Sequence, residues 1–196
     1  MKYSDKFTQA LSFAAILHNG QLRKGTQIPY ISHLLSVSVI VMRNGGDEEQ
    51  AIAALLHDSV EDQGGINLLS DIESKFGARV AKIVKQCSDS FEKPKPPWDQ
   101  RKKAYVAAIA HKSDDAILIS MVDKVDNART ILNNYNKIGD KLWECFRGGR
   151  EGTLWYYRAC VDAFGNRSNS DLYQELADLV SQIEDIAAGG QINRRK

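Results

Sequence analysis

Apolar residues recur every three or four positions along most of this chain, and no strict polar-apolar alternation persists long enough to compete, so the fold is restricted to helices packed on helices. Phe7, Leu11, Ala14, Ala15 and Leu17 set the pattern in a first helix that Ser4 caps and Asn19-Gly20 ends. Leu34, Val37, Ile40 and Val41 carry a second, from about Ser32 to Arg43, closed by Asn44-Gly45-Gly46. Asp47 with Gln50 resembles a capping box and opens a third, with Ile52, Leu55 and Leu56 facing a core. Further helices are expected over Ile66 to Phe76, Ala78 to Cys87, Asp99 to His111, Ser113 or Asp114 to about Asn133, Arg150 to Phe164 and Asp171 to Ala188. The fold class is therefore all-α, with about eight to ten helices.

Two segments break the pattern. Gln21 to Pro29 holds Gly25 and a proline that disfavours helix at Ile28, so it reads as a surface loop. Ser88 to Pro97 contains Lys93-Pro94-Lys95-Pro96-Pro97, where each proline removes a donor and clashes with the preceding turn. With 196 residues and 43% hydrophobic content, a single domain over 1–188 is expected, followed by a basic tail at 189–196.

A formal charge of +1 provides no strong field toward nucleic acid or a membrane surface, so neither is expected as a partner. Cys87, Cys145 and Cys160 are odd in number and lack metal or disulfide spacing, which points to reduced thiols in a cytoplasm. No apolar run approaches the roughly 18 residues of a membrane span, and the charged start Met1 to Lys6 argues against an export signal. A homodimer is compatible with the apolar content, although no self-complementary patch is readable.

The chemistry concentrates around scarce histidines. His57 is followed by Asp58, Glu61 and Asp62, and helical phase would gather these side chains at one helix end. Three carboxylates so close need a cation, water or partial protonation. His33 lies on the second helix, and Asp123 sits in an apolar helical run where an unpartnered carboxylate is costly. Two imidazoles and two carboxylates suit Mn²⁺, Fe²⁺ or Zn²⁺ in a site with positions left for water. Each element also has an ordinary reading: His33 as a hydrogen-bonded histidine, His57-Asp58 as a chance pair, and Asp123 as half of a buried ion pair with Lys124.

The order His33, His57-Asp58, Asp123 resembles the HD superfamily of metal-dependent phosphohydrolases. The words Gln21-Leu22-Arg23-Lys24, Pro29-Tyr30-Ile31-Ser32-His33, Leu55-Leu56-His57-Asp58-Ser59-Val60-Glu61-Asp62, Phe76-Gly77 and Asp123-Lys124-Val125-Asp126-Asn127-Ala128-Arg129-Thr130 are similar to the hydrolase domain of the RelA/SpoT homologues, clearly over about 7–135. The resemblance implies one divalent metal, usually Mn²⁺, held by His33, His57, Asp58 and Asp123. It implies that Glu61 and Asp62 position or deprotonate the attacking water, that Arg23 and Lys24 contact base and phosphates, that Asn127 lies near the ribose and Thr130 near the guanine. Leu34 stands where the family usually has proline, and Gln63 where it often has threonine.

The implied reaction is hydrolysis of guanosine 3′-diphosphate 5′-(di- or tri)phosphate to GDP or GTP and pyrophosphate. Its charged substrate needs cations, for which Arg23, Lys24, Arg101, Lys102 and Arg150 are candidates, with Tyr156 as a stacking aromatic. Basic residues at helix starts are also commonly solvated, and Trp155, Tyr156 and Tyr157 cannot all face one pocket. Two alternatives remain: the same chemistry on an adenine alarmone or the 2′-phosphate of a dinucleotide cofactor, and a nucleotide-binding module without turnover.

Overall fold

The computed structural model describes residues 3–92 and 94–189; Lys93 and most of the expected tail, 190–196, lie outside them. In chain order the α-helices are α1 Asp5–Leu17, α2 Ile31–Arg43, α3 Glu48–Leu56, α4 Gly65–Phe76, α5 Ala78–Cys87, α6 Trp98–Ala108, α7 Asp114–Ile138, α8 Gly149–Gly165 and α9 Asp171–Ala187. No strand occurs among the described residues, only an isolated bridge between Leu22 and Pro29. The chain divides into two compact units, residues 1–97 with 111–122 and residues 98–110 with 123–196, and α7 contributes to both.

The first unit is organised around α3. Every residue from Ala51 to Leu56 is buried, so this helix is covered all round, by α1, α2 and α5. Its start is fixed by the expected capping box, in which the Asp47 side chain accepts from Gln50 N–H while the Gln50 amide oxygen accepts from Asp47 N–H. Leu34, Val37 and Val41 of α2, Phe76 of α4 and Val80, Ile83 and Val84 of α5 complete the core. Arg79 ties the outside of this unit together, donating to Asp47, Glu49 and both oxygens of Asp115.

The helical phase expected from His57 to Asp62 is modified. After α3 the chain turns and forms one π-helical turn, Val60–Gly64, ended by Gly65, whose N–H reaches the Val60 carbonyl. Gly65 has φ 61, a conformation that favours glycine over any residue with a Cβ. Such wide turns are common at functional sites.

In the second unit α8 packs on α6 and α9. The Trp98 ring lies against the start of α8: a Cβ at Gly148 would sit 2.6 Å from it, so glycine is what permits the approach. Asp99 falls inside the first turn of α6, one residue after its start at Trp98. Helix α7 runs beyond Asn133 to Ile138, and a 3₁₀ segment, Gly139–Cys145, buries Leu142 and Trp143. Tyr156 and Tyr157 are buried while Trp155 remains exposed, which settles how three consecutive aromatics are divided. Among the described residues no disulfide joins Cys87, Cys145 or Cys160.

Candidate functional site

The buried helix α3 delivers its C-terminal residues to one point. His57 sits at its end, 3% exposed, and its Nδ1 lies 2.8 Å from the Ala54 carbonyl oxygen. A carbonyl can only accept, so Nδ1 carries a proton and, in the neutral ring, Nε2 keeps its lone pair. That Nε2 faces Asp58 Oδ2 at 3.1 Å. His33, in the first turn of α2 and 2% exposed, directs its own Nε2 to the same oxygen at 3.6 Å. The two imidazoles meet edge to face, with centroids 5.3 Å apart.

Ligand atoms of His33, His57 and Asp58 all lie within 4.8 Å of one another. Lone-pair nitrogens turned toward a carboxylate oxygen repel unless a proton or a cation stands between them, and this mixed N/O set suits a divalent transition ion. The donor chemistry thus fits a metal. A carbonyl holding the distal N–H of a ligating histidine is also the usual way such a ring is oriented.

Tyr30, just ahead of α2, donates its hydroxyl to Asp58 Oδ2 at 2.5 Å. The 21–30 loop places it there: Leu22 bridges Pro29, Arg23 N–H donates to Ile28 O, and Tyr30 N–H donates to Gln21 O, closing the loop into a narrow hairpin-like turn. Arg23 lies over the Tyr30 ring at 5.6 Å, and Lys24 is exposed on the same loop.

Glu61 and Asp62 stand on the π turn, with Asp62 N–H donating to the Asp58 carbonyl at 3.0 Å. One lysine of the proline-rich segment serves both: Lys95 Nζ is 3.0 Å from Glu61 Oε1 and 3.5 Å from Asp62 Oδ1. Glu61 Oε2 also accepts from Asp89 N–H at 3.4 Å, and Asp62 Oδ2 from the Gln21 amide at 3.0 Å. The pair thus accepts from Lys95, from the Gln21 amide and from the Asp89 backbone N–H.

Asp123 belongs to the second unit, where its Oδ1 accepts from Asn127 at 2.5 Å and its Oδ2 from the adjacent Lys124 ammonium. The ion pair with Lys124 that the sequence left open is thus formed, and both partners are buried. Burial alone would lower the Lys124 pKa, yet the Asp123 carboxylate beside it, with Tyr105 and Tyr156, holds it well above the usual lysine value. Lys124 lies over the Tyr105 and Tyr156 rings at 5.0 and 5.6 Å, and Lys102 over Tyr156 at 4.9 Å. Burial pushes the Tyr156 phenol up, with Cys160 adding to the effect.

Thr130 and Arg150, also expected at the substrate, have backbone partners. The Thr130 hydroxyl donates back to the Asp126 carbonyl, and Arg150 donates to the Ala187 carbonyl at the end of α9, where a cation complements the helix dipole. Tyr30, Gln21 and Lys95 were in view as letters of motifs, but only the folded loops reveal what they touch.

An HD-domain family model matches residues 10–153. The guanosine-3′,5′-bis(diphosphate) 3′-pyrophosphohydrolase MESH1 of Drosophila melanogaster is 38% identical over 136 residues, 67% of this chain and 72% of that one. MESH1 of Homo sapiens is 36% identical over 126 residues, 63% of this chain and 68% of that one. Among solved structures, a metazoan orthologue of SpoT that hydrolyses ppGpp and plays a role in starvation responses superposes with a TM-score of 0.76 at 28% identity, covering 93% of this chain and 97% of its own. With two buried histidines meeting Asp58 inside the matched region, the chain belongs to the HD-domain family and, within it, to the group that holds the MESH1 proteins.

Proposed function

We propose that this chain is a metal-dependent 3′-pyrophosphohydrolase acting on guanosine 3′-diphosphate 5′-(di- or tri)phosphate. The observation that carries the reading is the convergence of His33 and His57 Nε2 on one oxygen of Asp58, with Glu61 and Asp62 on the next turn of the chain. The relatives' activity supports the substrate class.

His33, His57 and Asp58 would hold one divalent ion, Mn²⁺ in our reading, and the family resemblance adds Asp123 as a donor. When bound, such an ion supplies Lewis acidity toward phosphoryl oxygen and acidifies water. Glu61 and Asp62 orient the water and take its proton, a contribution of roughly 10²- to 10⁴-fold for a well-placed base. The water oxygen bonds to the phosphorus attached to the ribose 3′ oxygen, that P–O bond breaks, pyrophosphate departs and the proton ends on the 3′ oxygen. Tyr30 fixes Asp58 by its hydroxyl, and Arg23 and Lys24 on the 21–30 loop receive substrate phosphates or base. Asn127 and Thr130 remain substrate candidates by resemblance, and Lys102, Arg150 and Tyr156 by the substrate's need for cations and a stacking ring. Cysteines without a disulfide fit a cytoplasmic setting.

The test is pyrophosphate release from the guanosine substrate with added Mn²⁺ and with chelator. Release with Mn²⁺ and none with chelator is expected; no release from folded, metal-loaded protein removes the reading. A panel that includes adenine nucleotides and dinucleotide 2′-phosphates ranks substrates by kcat/KM, because the base is read by side chains and not by the ion.

A further inference from the structure

Asp62 is reached by a short chain of polar groups that begins at a buried histidine outside the metal cluster. His18, at the C-terminal end of α1 and 2% exposed, has Nδ1 2.7 Å from Gln21 Oε1. Gln21 Nε2 is 3.0 Å from Asp62 Oδ2, and Gln63 Nε2 is 2.5 Å from the same Gln21 Oε1.

Donor logic removes the ambiguities. An ionised carboxylate only accepts, so the amide nitrogen of Gln21 must face Asp62 and its oxygen must face His18. That oxygen also only accepts, so His18 must carry its proton on Nδ1 in the neutral ring. Nε2 is then the acceptor, and the hydroxyl 3.3 Å from it belongs to Ser59, fully buried and next in sequence to Asp58. The His18 ring stacks on Tyr30, with centroids 5.2 Å apart and planes at 14°, and Tyr30 is the phenol that donates to Asp58. Gln63, a departure from the threonine common in the family, supplies the second donor that pins the Gln21 amide.

We propose that Gln21 is a positioning residue for Asp62, held in one amide orientation by His18 as an Nδ1–H donor and by Gln63. The proposal rests on the reading of Asp62 as a catalytic base. Half-buried Gln21 would otherwise rotate freely and offer Asp62 either a donor or a repelling oxygen. His18 acts without touching substrate, and its stacking on Tyr30 lets the same ring brace the residue that orients Asp58.

Imidazole ¹⁵N NMR of metal-free wild-type protein, with the ring neutral, should show His18 as the Nδ1–H tautomer; a dominant Nε2–H tautomer overturns the proposal. Gln21→Leu should move that equilibrium away from Nδ1–H and lower kcat about tenfold with KM changed less than about threefold, since the loss lies in the transition state. An unmoved tautomer, or a loss confined to KM, counts against it. His18→Asn places an amide N–H near the lost Nδ1–H and should keep most of kcat, whereas His18→Phe preserves ring stacking without the donor and should fall about tenfold. Equal activity of the two variants would reduce His18 to packing. The His18→Phe, Gln21→Leu double variant should lose no more than Gln21→Leu alone, because both cut one chain of contacts; additive losses overturn the linkage. Should the wild type release no pyrophosphate at all, the proposed reaction fails, while the tautomer in wild type and in Gln21→Leu still decides the orientation of Gln21.

Discussion

Asp58 and Asp123 are aspartates at the two chemically rich places of the molecule, and their surroundings balance charge in opposite ways. Asp58 Oδ2 takes a phenol hydroxyl and faces the Nε2 atoms of two imidazoles. Asp123 has an ammonium and an amide on its oxygens, supplied by Lys124 and Asn127 one residue and one helical turn away. The first arrangement gathers donors that suit a cation from solution; the second already places one of the chain's own ammonium groups on the carboxylate, beside any ion that Asp123 would share. A buried carboxylate therefore says little until its neighbours are classed as lone-pair donors or as positive charges.

The sharpest way to break this contrast is Asp58→Ala. Metal uptake should be lost and turnover should fall by about a thousandfold or more, with helicity by circular dichroism and metal-free stability close to wild type. Retained metal would erase the distinction. Lys124→Met attacks the other side: it leaves the Asp123 carboxylate buried without its ammonium and should cost about 3–5 kcal/mol in chemical denaturation. A loss under about 1 kcal/mol would mean that Asp123 is not balanced by its neighbour.

Tyr30→Phe sharpens the comparison at Asp58 alone. Removing a hydroxyl that orients a ligand typically lowers metal affinity about 10- to 100-fold, read by chelator competition, and an unchanged affinity would reduce Tyr30 to packing against His18. The smallest effect concerns an ion pair away from both places. The Arg79 guanidinium, bonded through two nitrogens, holds Asp115 below its ordinary value of 3.8. Because the folded-state value is depressed, this stabilisation is present above about pH 4 and disappears as pH falls through the lower folded value. With Arg79 40% exposed, solvent screening limits it to about 1 kcal/mol or less. Asp115→Asn should accordingly flatten the acid limb of a stability-pH curve measured by denaturant titration, and an unchanged limb would assign acid lability elsewhere.

Much of the fold was legible in residue spacing. Helices α1 to α5, α8 and α9 lie where apolar periodicity, the Asp47-Gln50 box and the glycine stops place them, because those signals are local. The 3₁₀ segment Gly139–Cys145 escaped notice, since Leu142 and Trp143 are adjacent and show no period until the second unit buries them. His57, Asp58, Glu61 and Asp62 announced themselves by proximity in sequence, and His33 joins His57 and Asp58 through packing of α2 on α3. The π turn was hidden: helical phase predicts neighbours four apart, and only Gly65 with its positive φ hints that the register widens. Lys95 over Glu61 and Asp62, and Arg150 at the end of α9, depend on partners more than thirty residues distant, which no spacing rule reaches.

Helix α3 has one further consequence. A rod wrapped on all sides cannot slide or rotate without opening the hydrophobic interior around it, so His57 inherits the rigidity of the whole first unit. The loops at the rim are fastened to the residues around that anchor, Tyr30 to Asp58 and Lys95 to Glu61 and Asp62. A replacement at either loop contact is therefore passed to a post that cannot itself yield.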